Sequence, residues 1–388
     1  MPNSCQIQCS GNIVKNVKGV TVPNSGGLKG IEVAATLGVV GGNAAKELAV
    51  LADVTEEDRQ RAQTLISEGF CTCQLIEGVE NLYIIATVTG SEGTAVVELR
   101  GQHNNITRIA KNGVEIFSKT ETAAQTADSG DPEQIDLHSI LQFADQADFQ
   151  ELKTVLQTQV NYNSAISHEG LEGNWGIQAG KTLLSLYETP DIRIKARAAA
   201  AAGSDARMNG CAMPVVINCG SGNQGITVTM PIVTYAQEFQ IEEPVMFRAL
   251  ALANLLAVHQ KKYIGRLSAY CGVVSAATAS ACGVAYMLHY QEERTKLYEI
   301  LAGTIINSIC TIGGMVCDGA KSSCATKIGI AVENALTAME LSVRGNVFLP
   351  GEGLTMDTVE QTISAVGRMG RKGMRTTDVE ILNIMLGN

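Results

Sequence analysis

Aromatic residues are scarce in this chain, at 4% of 388 positions, and there is a single tryptophan. Hydrophobic residues still make up 45%, so a sizeable core can form mainly from Ala, Val, Ile and Leu. Basic residues are outnumbered by acidic ones, which gives a formal net charge of -10. Because nucleic acids and anionic membranes attract clustered Lys and Arg, this charge argues against both as partners and favours a small-molecule substrate.

The first ten residues lack the basic start and apolar segment of a secretory signal, which predicts a cytoplasmic chain. In that compartment the eleven cysteines should stay reduced, and their odd number fits a closed disulfide framework poorly. Two uncharged stretches, 267–291 and 300–317, are long enough to span a membrane. Their content of Ala, Ser, Gly, Thr and Cys is typical of closely packed helices in a bundle, so we predict no membrane segment.

Short β-branched runs separated by turn residues predict an antiparallel meander in the first third of the chain. The runs cover 71–77, 81–89, 94–100, 105–110 and 114–118. The clearest hairpin signal is Asn112-Gly113. A helix is predicted over 55–69, with Thr55 as its N-cap and Gly69 as its end, and we expect it to cover one face of the sheet.

Small and polar residues dominate 120–133, which we interpret as a linker. Helical periodicity follows it to the C-terminus. The sequence therefore predicts an α+β fold with two domains. The first, 1–128, holds the antiparallel sheet and a helix, and the second, 129–388, is larger and mainly α-helical. The extended helical surface makes a homodimer the expected assembly.

A glycine-rich tract is the first candidate binding segment. Closely spaced glycines let the backbone approach a ligand, and successive N–H groups can surround an anion. The hydroxyl and amide side chains in the tract add donors that suit a carboxylate. The tract comprises Asn218, Gly220, Ser221, Gly222, Asn223, Gln224 and Gly225, with Cys219 between the first two. A tight turn between helices, or a cradle for a cofactor phosphate, is an alternative that composition leaves open.

The second candidate segment carries Cys317 and Cys324, separated by glycine and small polar residues. Both thiols could turn towards one metal ion or cluster. Zinc sites favour two to four intervening residues, so zinc is the weaker expectation. Upstream, Cys271 or Cys282 could supply a third ligand. The alternative is that Cys317 and Cys324 are merely buried cysteines at a helix start.

These segments resemble motifs of the L-cysteine desulfidase family. Further stretches that resemble the family, in the family's order, are 11–16, 167–171, 204–208 and 268–272, so the likeness covers nearly the whole chain. The three cysteines Cys271, Cys317 and Cys324 also resemble the cluster ligands of the iron–sulfur L-serine dehydratases. A Gly-Cys-Thr-Glu-Pro segment precedes 11–16 in the desulfidases and is not found here. A start further upstream and a shortened paralogue are the two explanations.

The resemblance implies a [4Fe–4S] cluster held by Cys271, Cys317 and Cys324, with one iron open as a Lewis acid for the substrate's β-sulfur or β-hydroxyl. A base would remove the Cα proton, and β-elimination would give aminoacrylate, which hydrolyses to pyruvate and ammonia. The expected substrate is L-cysteine, which would also release hydrogen sulfide. L-Serine dehydration is the closest alternative, and a non-catalytic cluster or thiol sensor is another. No pyridoxal phosphate is expected.

Two side chains outside these segments complete the expected site. His103 lies at a strand boundary where the family also places a histidine, and it is the expected base. A turn histidine that hydrogen-bonds the backbone is an equal alternative. Arg207 is expected to bind the substrate carboxylate, since its guanidinium suits bidentate contact, and Asp205 would orient it. A purely structural Asp205–Arg207 ion pair is the competing interpretation.

Overall fold

The computed structural model describes residues 1–119, 135–265 and 268–387. A six-stranded sheet with a few helices is followed by a larger helical part, so the predicted α+β class is confirmed. The strands are β1 (Ser4–Ser10), β2 (Cys71–Ile76), β3 (Tyr83–Gly90), β4 (Gly93–Arg100), β5 (Ile106–Lys111) and β6 (Val114–Ser118). The predicted linker and domain boundary fall within 120–134, outside the described residues.

The predicted meander is confirmed from β3 to β6, where each strand pairs antiparallel with the next. At the last hairpin, Asn112 and Gly113 adopt φ values of 53° and 78°. Both are left-handed, which is the conformation that a two-residue type I′ turn requires. The Asn-Gly pair therefore produces the hairpin for the reason that the sequence suggested.

Strand β2 forms where it was predicted, but its predicted place as the first strand of the meander is wrong, because it does not pair with β3. The sheet order is β2-β1-β3-β4-β5-β6, and β1 runs parallel to β2 and antiparallel to β3. In β1, Cys5, Ile7 and Cys9 are buried and alternate with more exposed polar residues. This period of two is typical of a half-buried strand. The burial of that apolar face explains why β1 displaces β2 to the edge.

Helix α3 (Glu56–Ser67) matches its prediction in position but not in its contacts. Thr55 and Asp58 form a reciprocal capping box at its start, and Gly69, with φ 72°, follows its end. The helix that lies on the sheet is α2 (Ile31–Gly41), which contacts β1 and β2, and α3 packs on α2. The main cover of the sheet is thus α2, and α3 contributes only Leu65 to the apolar cluster beneath it.

The helical part packs around α10, whose residues from Val273 to Met287 are all buried. Alanine, serine and glycine along this helix allow neighbouring backbones to approach closely. Helix α10 spans Val273–Leu288, and the helices that contact it are α8 (Gly222–Glu238), α9 (Glu243–Ile264), α11 (Arg294–Ile312) and α12 (Ser323–Val343). The other helices of this part are α4 (Leu137–Gln146), α5 (Phe149–Glu172), α6 (Ala179–Ser185), α7 (Ile192–Met208) and α13 (Val359–Arg368). Within the described part of the chain, no helix combines the length and apolarity needed to cross a bilayer.

The C-terminal helix α14 (Arg375–Leu386) returns to the first helix of the chain, α1 (Gly11–Val17). Lys18, just after α1, donates a hydrogen bond from its Nζ to the carbonyl of Met385. Since α1 follows β1 directly, the sheet and the helical part meet where α1 lies beside the segment that contains Cys317. This meeting point is where most of the candidate site residues lie.

Candidate active site

Two short extended segments bring Cys271 and Cys317 side by side. Tyr270 and Val316 form an isolated antiparallel bridge, and the flanking hydrogen bonds run from Cys271 N to Met315 O (2.8 Å) and from Cys317 N to Ala269 O (2.6 Å). Interaction between the two neighbouring thiols lowers the pKa of Cys317 and raises that of Cys271. The backbone pairing therefore fixes the distance between two of the three predicted ligands.

The pKa of the Cys317 thiol is lowered to about 5. The hydrogen bond from Cys271 is the largest cause; burial opposes it, and the positive charges of Lys15 and Lys327 support it. The shift favours the thiolate form of Cys317. Because thiolates rather than thiols bind metals, Cys317 is prepared to act as a ligand.

Cys324 reaches the same region from the first turn of α12. Its thiol donates to the carbonyl of Gly319 at 3.7 Å, and it interacts electrostatically with Cys317 and Cys271. The intervening loop turns at Gly319, whose φ is 92°. A Cβ at this glycine would lie 2.1 Å from the carbonyl oxygen of Lys15, so only glycine fits. Gly319 thus allows the loop to bend tightly against α1.

A buried and a partly buried lysine flank these cysteines. Lys15 is 2% exposed, forms an ion pair with Asp378, and donates to the Cys317 carbonyl at 3.3 Å. Lys327 donates to the Val316 carbonyl at 2.8 Å and forms an ion pair with Asp318. These cations offset the cost of burying negative charge, so the region suits a thiolate-bound, negatively charged group.

Lys261, near the end of α9, is a third cation at this position and is 6% exposed. Burial lowers its pKa, and the nearby thiols of Cys219, Cys317 and Cys271 oppose that shift. Cys219 therefore lies within electrostatic range of the same lysine as two of the predicted ligands. It belongs to the glycine-rich tract, so that tract and the cysteine segments border one region.

A tight turn forms the beginning of the glycine-rich tract. Cys219 and Gly220 have φ values of 49° and 80°, and Asn218 and Ser221 exchange backbone hydrogen bonds of 3.1 and 3.0 Å. This is a type I′ turn, and a left-handed cysteine is uncommon in proteins. Ser221 then caps α8 by accepting from the backbone N–H of Gln224 at 3.4 Å. The tract is therefore both a turn and the start of a helix.

Two glycines of the tract are needed for close packing. At Gly222 a Cβ would lie 2.3 Å from the Arg207 Nε, and at Gly225 it would lie 1.9 Å from the Val216 carbonyl oxygen. Arg207 therefore crosses directly over the first turn of α8, where its Nη1 donates to the Asn223 Oδ1 at 3.3 Å. The guanidinium and the free N–H groups of the helix start face the same space, which is a combination that suits an anion.

Two buried amide side chains in the tract have oxygens without a hydrogen-bond partner, namely Asn218 Oδ1 and Gln224 Oε1. The Gln224 amide lies against Gly272, where a Cβ would be 2.5 Å from its Cδ. This contact links the tract to the residue that follows Cys271. Because unpaired buried acceptors cost free energy, these oxygens are suited to accept hydrogen bonds from a bound group.

The expected pair of Asp205 and Arg207 does not form, although the two residues share α7. Asp205 is buried, and its Oδ2 accepts a hydrogen bond of 3.0 Å from the backbone N–H of Gly180 at the start of α6. Burial raises the pKa of Asp205 to about 6, and bonds from the backbones of Gly180 and Ala179 oppose the shift. Asp205 thus holds α6, and Arg207 is free of a carboxylate partner among the described contacts.

His103 lies in the exposed loop between β4 and β5 and reaches the turn of the tract. Its Cε1 is 3.5 Å from the position that a Cβ of Gly220 would occupy. The N-terminal part of the chain thus contributes the imidazole, and the helical part contributes the tract. Cys282, the alternative third ligand, lies fully buried within α10, where its thiol donates to the carbonyl of Leu301 at 3.8 Å. It is separate from Cys317.

The residues predicted for the site, except Asp205 and the alternative ligand Cys282, lie around one region between α1, the cysteine loop and the start of α8. Sequence reasoning missed Lys261, Asp378 and Cys219 as members of it. Lys15 lies within 11–16, a stretch singled out by its resemblance, but nothing marked its ammonium as buried. For Cys219 the only sequence signal was its place beside Gly220, and for Lys261 and Asp378 there was none.

The chemical nature of these donors fits an iron–sulfur cluster, since three thiols lie in one region beside the cations Lys15 and Lys261. In residues 1–119, 135–265 and 268–387, however, no three His, Cys, Asp or Glu side chains are arranged to hold a metal ion. The Cys324 thiol donates instead to the carbonyl oxygen of Gly319.

Comparison with known proteins identifies the family of the chain. Residues 45–383 match the family model of the serine dehydratase alpha chain. The chain is 44% identical over 387 residues to a UPF0597 protein of Lachnoclostridium phytofermentans, which covers 100% of this chain and 91% of the relative. UPF0597 proteins of Finegoldia magna and Treponema denticola are each 42% identical, covering 100% of this chain and 91% and 89% of the relatives. The chain therefore belongs to the serine dehydratase alpha chain family.

Proposed function

We propose that this chain is an iron–sulfur-dependent lyase that removes the β-substituent of a small amino acid, with L-cysteine as its substrate. The products would be pyruvate, ammonia and hydrogen sulfide, and L-serine is the alternative substrate of the same chemistry. The observation that supports the proposal is that Cys271 and Cys317 lie on paired backbone segments, with Cys324 within electrostatic range and the buried Lys15 beside them. Family membership supports a lyase of the serine dehydratase type. A cytoplasmic location, where thiols stay reduced, is part of the proposal.

Cys271, Cys317 and Cys324 would hold a [4Fe–4S] cluster through three thiolates. The bound cluster would supply an open, Lewis-acidic iron for the departing β-sulfur or β-hydroxyl. The contribution of the chain is electrostatic. Lys15 and Lys327 favour the thiolate of Cys317, and together they reduce the cost of collecting negative charge in a buried region.

The substrate carboxylate would bind between Arg207 and the first turn of α8. Arg207 lies directly over Gly222, and the N-terminal N–H groups of α8 carry the positive end of the helix dipole. The substrate ammonium would donate to the amide oxygens of Asn218 and Gln224, which lack partners. Gln224 lies against Gly272, so this arrangement would direct the β-carbon towards Cys271 and its neighbours.

His103 is the proposed base for the Cα proton. Its imidazole lies beside Gly220, at the end of the tract that would hold the substrate. Histidine is the side chain whose ordinary titration range lies near neutrality, which suits proton removal and return. Because His103 lies on an exposed loop, its proton can exchange with water between turnovers.

The experiment is an assay of pyruvate formation from L-cysteine and L-serine after anaerobic reconstitution with iron and sulfide. The proposal expects turnover of both or of one, with L-cysteine preferred and hydrogen sulfide released in equal amount. Preference for L-serine would keep the chemistry and change the substrate. A chain that binds the cluster and turns over neither would be a non-catalytic sensor, and the lyase proposal would fail.

Borohydride trapping in the presence of pyridoxal phosphate separates the proposal from a pyridoxal enzyme. Lys261 is the lysine to examine, because it is buried near the tract and burial lowers its pKa, which makes its amine more nucleophilic. We expect no trapped adduct at Lys261 and unchanged turnover without added pyridoxal phosphate. A reduced adduct at Lys261 that rises with turnover would favour the pyridoxal mechanism instead.

A further inference from the structure

Four cysteines outside the candidate site lie on one face of β1 and β2. Cys5 and Cys9 belong to β1, and Cys71 and Cys73 belong to β2. Within each strand the two cysteines are an even number of residues apart, so they point to the same side of the sheet. All four pack in the apolar cluster beneath α2. These four cysteines on two paired strands have no role in the proposed lyase chemistry.

The four thiols form two contacting pairs. The sulfur atoms of Cys9 and Cys73 are 3.9 Å apart. Cys5 and Cys71 are direct cross-strand neighbours, and interaction of their thiols lowers the pKa of Cys5 and raises that of Cys71. Contact between sulfur atoms alone therefore does not distinguish the pairs.

The strand register does distinguish them. Cys5 and Cys71 are direct partners across the parallel strands, whereas Cys9 is opposite Leu75 and Cys73 is opposite Ile7. Neighbouring strands are about 4.8 Å apart, which is within the Cα separation that a disulfide accepts. For the second pair, an offset of two residues along the strand gives a Cα separation of about 8 Å, which is too long without backbone movement.

We propose that Cys5 and Cys71 are an oxidation site that closes to an intrachain disulfide when the protein meets a hydroperoxide. The Cys5 thiolate attacks the peroxide, which forms a sulfenic acid at Cys5 and releases water or an alcohol. The Cys71 sulfur then attacks the Cys5 sulfur and expels water as the S–S bond forms. In total, the two thiols lose two electrons and two protons, and one peroxide is reduced.

The position of this pair gives the bond a structural effect. β2 is an edge strand that pairs with β1 alone, so it depends on that one ladder. Cys5 and Cys71 are 3% and 8% exposed, so a bulky disulfide oxidant is hindered and the oxidant must be small. A disulfide at this register would fasten the edge strand at its first residue, which should raise the melting temperature of the oxidised protein.

Peptide mapping of the full-length chain tests the proposal. The protein is treated with hydrogen peroxide, its remaining thiols are alkylated, and it is digested with trypsin without reduction. Cleavage after Lys15, Arg61 and Arg100 leaves Cys5 and Cys9 in peptide 1–15, and Cys71 and Cys73 in peptide 62–100. The expected product is one species that links both peptides, lacks two hydrogen atoms, and carries alkyl groups on Cys9 and Cys73.

Fragmentation between Cys5 and Cys9 locates the bond in the wild-type chain, so the result does not depend on a variant that folds. Cys5→Ser and Cys71→Ser should abolish the link, and the matched variants Cys9→Ser and Cys73→Ser should retain it. A bond at Cys9 or Cys73 would overturn the proposal. So would the absence of any link at a dose that already oxidises the exposed Met213. Iron content and pyruvate formation are not part of this readout, so it stands apart from the proposed function.

Discussion

The ion pair between Lys15 and Asp378 should respond unequally to loss of its two members. Lys15 is 2% exposed, whereas the side chain of Asp378 is 25% exposed. Removing the carboxylate leaves a buried ammonium whose other described hydrogen bond runs to the carbonyl of Cys317. Removing the ammonium leaves a carboxylate that water and Asn12, which donates to it at 3.2 Å, can still solvate. The two substitutions therefore leave very different groups behind.

The magnitudes follow from this difference. An unpaired buried charge costs about 3–5 kcal/mol, so Asp378→Ala should lower the free energy of unfolding by an amount in that range. Lys15→Met keeps the length and packing of the side chain and should cost only about 1–2 kcal/mol. We expect the double variant Lys15→Met with Asp378→Ala to be more stable than Asp378→Ala alone, because no buried charge is left unpaired.

Urea denaturation followed by circular dichroism measures these values. The four proteins of the cycle are compared under the same buffer conditions. The reasoning would be refuted if Lys15→Met cost more than Asp378→Ala, or if the double variant were the least stable of the four. Either result would mean that the ammonium is solvated in the folded protein, and α1 would not be held to α14 by a buried charge.

Two further predictions concern other parts of the site. Gly222→Ala places a methyl group 2.3 Å from the Arg207 Nε, and it should raise KM for the amino acid about tenfold or more, as expected for loss of a charged hydrogen bond. Gly38→Ala has nothing within 4 Å of its methyl group and should leave KM unchanged; equal effects of the two would contradict the assignment. The pKa of Asp205 is raised to about 6 from 3.8, so its contribution to stability is present below pH 3.8 and is lost as the pH rises through 6. Asp205→Asn should therefore gain about 3 kcal/mol relative to wild type between pH 4 and pH 7, and denaturation curves that stay parallel across that range would show that the carboxyl is not desolvated.

Much of the sheet could be predicted from local patterns. The one wrong prediction in it, the pairing of β2, has a clear physical cause. The β3–β6 meander depends on turns, and the left-handed Asn112-Gly113 pair is a signal within two residues. In the pairing of β1 with β2, Cys5 lies opposite Cys71, which is far from it along the chain. This pairing depends on the burial of alternate residues. A local pattern contains no information on which distant strand provides the partner.

The candidate site shows the same division. Cys271, Cys317 and Cys324 were recognised through their resemblance to known motifs, and their spacing alone left several interpretations open. The partner of Lys15 is 363 positions away, and no periodicity relates it to Asp378. The expected ion pair between Asp205 and Arg207 does not form, because two residues that are two positions apart on a helix do not face each other.

The central claim is that three particular cysteines hold an iron–sulfur cluster. The most direct test is the iron and acid-labile sulfide content of protein purified without oxygen, compared with Cys324→Ala and with Cys310→Ala as the matched control. Cys310 accepts a hydrogen bond from Thr355 at 3.4 Å and is not among the predicted ligands. We predict about four iron and four sulfide per chain for wild type and Cys310→Ala, and a marked loss for Cys324→Ala. Loss in Cys310→Ala with retention in Cys324→Ala, or no iron in wild type after reconstitution, would contradict the account.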